Sequence, residues 1–112
     1  MTAPSTPVRR DDGELIGCLM PVGDQWVPCT VFEFPLGEAT SRQDAEEYLH
    51  AHGLSYLAER WEHLHESHWI TVCIVEAGPQ QVVLAFADYG HPQLYGTRKR
   101  LLSPNPRVLR MA

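Results

Sequence analysis

At 112 residues, 44% of them hydrophobic and 21% charged, the chain is long enough to bury one core and too short for two. No apolar run is long enough to span a bilayer, and acids and Gly13 follow the first arginines where a signal peptide would be apolar. A soluble, cytoplasmic protein without membrane contact is therefore expected. The net charge of −5 is unevenly spread: all 14 acids lie between Asp11 and Asp88 with only Arg42 and Arg60 among them, whereas five bases and no acid follow Gly96.

Residues 1–13 show no periodicity and read as a disordered lead-in. Glu14–Val22 is short, apolar and closed by Pro21 and Gly23, which predicts a strand. Trp26–Phe34, rich in β-branched and aromatic residues, predicts a second, paired with the first through a turn at Gly23-Asp24. Pro28 cannot donate to a ladder, so a free edge or a bulge is expected there, and an open edge leaves both monomer and homodimer in play. The period then changes. Ala45, Tyr48, Leu49 and His52 share one helical face, which predicts a helix over Ser41–His52, capped by Thr40 or Ser41 and ended by Gly53.

Leu54–Glu66 fits either a second helical face or a helical turn followed by a strand. The second reading is preferred; it turns the chain at Glu66-Ser67 and brings Trp61 near Trp69. His68–Glu76 and Gln81–Ala87 form a hairpin around Gly78-Pro79-Gln80. Asp88-Tyr89-Gly90-His91-Pro92 is a turn, Thr97–Leu102 a short closing strand, and Pro104 and Pro106 leave 104–112 as a basic tail. The expected fold is α+β: a single small domain over 14–103, with a mostly antiparallel, curled sheet of five to six strands packed on one main helix.

Cys18, Cys29 and Cys73 sit in apolar stretches without Cys-x-x-Cys spacing and read as buried free thiols. His63, His65 and His68 crowd one region. On a strand the first two share a face, and His68 across a tight turn would complete a three-imidazole set of the kind zinc uses; a solvated polar turn is the preferred reading. No cofactor is expected, and no hydrolase, phosphate-loop or metalloprotease motif is present in the sequence.

Phe86-Ala87-Asp88-Tyr89-Gly90 is the most distinctive string. By itself it is good turn chemistry, with Asp bonding its own backbone. Together with Trp69 and the strands between, it resembles the central hairpin of a Tudor-type, SH3-like barrel. In that family a strand opening with an aromatic leads through a turn to a strand ending Phe-x-Asp-Tyr-Gly-Asn; His91 stands here in place of Asn. The resemblance covers about a fifth of the chain. It implies that Phe86 and Tyr89 line an aromatic cage for a methylated side chain through cation–π attraction.

Three functions are carried forward. The first is a non-enzymatic interaction module that binds another protein through the Tyr- and Gly-rich loop and the basic end, with Phe86, Asp88, Tyr89, His91, Tyr95, Arg98 and Arg100 as the candidate surface. The second is nucleic-acid binding through the same basic end, although an acidic body argues against broad affinity for phosphates. The third is a small metal-dependent enzyme using the histidine cluster or Asp88 with His91.

Overall fold

The structure, a computed structural model, describes residues 5–52, 54–79 and 81–112. It is the α+β fold expected, and every sheet ladder is antiparallel. This small domain divides into two compact units, Met1–Tyr56 and Leu57–Ala112.

In the first unit β1 (Thr6–Arg9), β2 (Leu15–Val22) and β3 (Gln25–Cys29) form a sheet in that order. The β2–β3 hairpin turns at Gly23, whose φ of 62° disfavours any side chain. β1 corrects the disordered lead-in. Its four residues pair with Leu15–Leu19 and bury Val8, a single apolar position that produces no periodicity to read.

β3 stops at Cys29, short of the predicted Phe34. The fully buried Thr30 redirects the chain: its Oγ1 accepts the N–H of Phe32 at 3.3 Å and of Phe34 at 3.1 Å, and Glu33 takes φ 65°. This local side-chain bonding outcompetes the strand and sets Phe32 edge-on to Tyr56, 6.0 Å between centroids. Pro28 falls where an N–H would point away from β2, so no ladder bond is lost. Its carbonyl accepts from the Leu36 N–H at 2.8 Å, and Trp26 exchanges two backbone hydrogen bonds with Thr40. Residues 35–40 thus line the edge of β3 that was expected to lie open.

The predicted helix is α1 (Arg42–His52). The Ser41 hydroxyl accepts the Asp44 N–H at 3.1 Å, making Ser41 the N-cap. Ala45 and Leu49 are fully buried and meet Val8, Ile16 and Leu19, with Tyr48 and Trp26 packed at the margin. The expected C-terminal Gly53 lies outside the described residues.

A 3-10 turn at Ser55–Ala58 precedes the second sheet, so the strand reading of 54–66 holds. β4 (Trp61–His65), β5 (His68–Gly78), β6 (Gln81–Phe86), β7 (Arg98–Leu102) and β8 (Leu109–Met111) are arranged β7-β6-β5-β4-β8. Glu66 (φ 48°) and Ser67 (φ 69°) make the tight β4–β5 turn, both in the left-handed region. Trp61 pairs with Val72 and Trp69 with Leu64, so alternation puts the two tryptophans on opposite faces rather than together. β8 corrects the basic tail: Leu109 is fully buried and Arg110 pairs with Glu62.

Candidate functional site

The loop between β6 and β7 is built on one carboxylate. Asp88 Oδ1 accepts the Gly90 N–H at 2.8 Å, and Oδ2 accepts the Thr71 N–H of β5 at 3.2 Å. These donors, Gly90 first and Thr71 second, hold the Asp88 carboxyl below its usual range. Backbone bonds then fold the loop on itself: His91 N–H to Asp88 at 3.1 Å, Leu94 N–H to His91 at 3.0 Å and Tyr95 N–H to His91 at 3.2 Å. The far end is closed by Gly96, at φ 83°, donating to the Phe86 carbonyl at 2.8 Å, while Phe86 donates to Thr97 at 2.9 Å.

On this frame Tyr89 and Tyr95 stack, with centroids 5.1 Å apart and planes 18° from parallel. Yet Tyr89 is 83% and Tyr95 48% exposed. The hydrogen bond between the two side chains pushes the Tyr95 hydroxyl above its ordinary value, with the charge of Arg60 opposing. Arg98 and Arg100 are exposed on β7, opposite Ala85 and Val83. His91 lies beside His68, ring centroids 6.2 Å apart.

Phe86 is the exception among the predicted residues. It follows Val82 and Leu84 on the buried face of β6 and is 4% exposed, against the rings of His63 and His65 at 6.3 and 5.4 Å. The aromatic cage implied for Phe86 and Tyr89 therefore gives way to two separate pairings: alternation turns Phe86 inward, and Tyr89 lies beyond the Asp88 turn against Tyr95.

The histidine trio also separates. His63 is buried; a carbonyl only accepts, so its Nδ1–H donates to Val108 at 2.7 Å, leaving the buried Nε2 without a hydrogen-bond partner among the described residues. Burial lowers its pKa, the Val108 carbonyl opposes that, and the charges of Lys99 and His65 add to it. His65 is directly opposite His68 in the ladder, but the His68 ring neighbours His91. Among the described residues no three His, Cys, Asp or Glu side chains converge as a metal site requires.

Cys73 corrects the expectation of three buried thiols. It follows the fully buried Val72 on β5, so it points to the other face and is exposed. Sequence reasoning also missed a cluster on that face, where the Arg110 guanidinium lies 4.0 Å over the Trp69 ring and its Nε donates to Glu62 at 2.8 Å. The only signal was Arg110 itself, in a stretch without strand pattern.

No family model matches the chain, and no curated protein or solved structure is significantly similar to it. Among the described residues no helix is long and apolar enough to cross a membrane.

Proposed function

We propose that the chain is a non-enzymatic interaction module that binds a partner protein through the 88–96 loop. The observation that carries this reading is the stacked Tyr89–Tyr95 pair, held in place by backbone bonds while both rings face solvent. Aromatic side chains are costly to expose and are enriched at the centres of protein interfaces. A loop ordered before binding loses little conformational entropy when a partner arrives. The exposed guanidinium groups of Arg98 and Arg100 on the following strand favour a partner surface with carboxylates.

The test is affinity capture with the wild-type chain and with Tyr89→Ala and Tyr95→Ala, each variant checked for an unchanged melting temperature. Both rings are exposed, so neither substitution empties a core. A specific partner should be recovered about tenfold less, the loss typical of removing an aromatic from an interface centre. Equal recovery with both variants refutes the reading.

The same exposed rings, next to Arg98 and Arg100, support a second reading, single-stranded nucleic-acid binding by base stacking. Titration with short oligonucleotides separates the two. Binding that weakens steeply with salt and vanishes in Tyr89→Ala favours nucleic acid; no binding at low salt removes it.

A further inference from the structure

We infer that Cys18 and Cys29 form a thiol–disulfide modification site, oxidised by a hydroperoxide. The two residues are direct partners in the β2–β3 ladder, so their side chains leave the sheet on the same face. The backbone of β3 sets their spacing. Pro28 O and Thr30 N bond to Leu36 and Phe34 on the far side, which directs the N–H and C=O of Cys29 toward β2. Cys18 and Cys29 are therefore a hydrogen-bonded antiparallel pair, with Cα atoms about 5.5 Å apart. Disulfides commonly span about 5.5–6 Å between Cα atoms, so the pair lies within the Cα separation that a disulfide bridges.

Both thiols are free and buried, at 6% and 1% exposure, which leaves Cys18 as the one a small oxidant reaches first. Cys18 Sγ is 3.3 Å from the Thr30 carbonyl and Cys29 Sγ 3.5 Å from that of Val27. The roles differ. The hydrogen bond from Cys29 holds the Cys18 thiol below its ordinary value, and the same bond together with burial pushes Cys29 up. Cys18 is thus the attacking sulfur and Cys29 the resolving one.

The chemistry balances in two steps. The Cys18 thiolate attacks the terminal oxygen of the hydroperoxide; an S–O bond forms, the O–O bond breaks, and the alcohol leaves with a proton. Cys29 sulfur then attacks the Cys18 sulfenic acid; the S–S bond forms, the S–O bond breaks, and water leaves with the Cys29 proton. Two thiols and one hydroperoxide yield one disulfide, one alcohol and one water, with each sulfur oxidised by one electron.

The probe is hydrogen peroxide on the reduced full-length chain, followed by alkylation and cleavage at Asp24, which lies between the two cysteines. The expected product is a Cys18–Cys29 linked peptide pair, two hydrogens lighter than its reduced parts, absent after treatment with dithiothreitol and still formed in Cys73→Ser. Recovery of Cys18 and Cys29 fully alkylated under peroxide that oxidises Cys73 overturns the inference, as does linkage exclusively through Cys73. The deciding measurement is made on the wild-type chain, and Cys73→Ser alters an exposed position, so neither arm empties a core.

Discussion

Gly17 offers the sharpest test of how α1 is seated on β2. A Cβ at this position would overlap the Cys29 carbonyl oxygen and lie 3.0 and 3.2 Å from the two methyl carbons of Leu49. The oxygen belongs to a backbone locked in the β2–β3 ladder, and Leu49 is fully buried. Neither obstacle is the free end of a flexible side chain, so Gly17→Ala must push β3 or α1 away. Overpacking of this kind costs about 1–3 kcal/mol, and backbone movement puts this case near the top of that range. Alanine recovers roughly 0.5–1 kcal/mol through its smaller entropy loss in a strand. The net expectation is about 2 kcal/mol of destabilisation, or a melting temperature lower by roughly 8–16 °C at about 4–8 °C per kcal/mol. Gly78→Ala is the control. Among the described residues its Cβ would meet the Gln81 side chain, at 3.6 Å, so stability should change by no more than about 0.5 kcal/mol. Urea and thermal melts followed by circular dichroism read both. If Gly17→Ala is as stable as wild type while Gly78→Ala behaves as expected, the close approach of Leu49 and Cys29 to Gly17 is wrong.

Two predictions concern pH. The pKa of His63 is lowered from 6.5 by burial, with Lys99 on β7 and His65 on β4 as the facing charges, so between the folded and unfolded values the unfolded chain binds more protons. Stability should therefore be complete above pH 6.5 and fall as pH drops through the lowered value, and His63→Leu should flatten that limb in urea melts; an unchanged slope refutes it. The Asp88 carboxyl is lowered from 3.8, so its contribution is present above that value and is lost as pH falls through the folded pKa. Asp88→Asn, measured by thermal melts from neutral to acid pH, should flatten the acid limb, and a limb identical to wild type would show that the carboxylate does not tie the loop to β5.

What could be read from the sequence follows how locally each element is determined. β2, α1, β5 and β6 carry dense apolar positions, periodic in α1 and nearly continuous in β2 and β5, and the sequence places them within a few residues of their observed bounds. β1 and β8 each bury one apolar side chain, Val8 and Leu109, and owe their order to a partner strand distant in sequence or to a neighbour already in place. Loop composition puts Tyr89 and Tyr95 on the candidate surface, but their stacking depends on the Gly96–Phe86 bond that closes the loop, which no local pattern encodes. Phe86 was misplaced for the opposite reason. Its inward direction follows directly from alternation with Val82 and Leu84, and the resemblance to a cage-forming hairpin outweighed that simpler signal. The cysteines show the same logic at its most useful. A two-residue turn at Gly23-Asp24 pairs Val22 with Gln25, and counting back along both strands reaches Cys18 and Cys29 on one rung. The facing dithiol is thus a consequence of turn length. An insertion or deletion of one residue at Gly23-Asp24 would turn one of the two sulfurs to the opposite face of the sheet, which makes the turn as much a determinant of the proposed oxidation as the cysteines themselves.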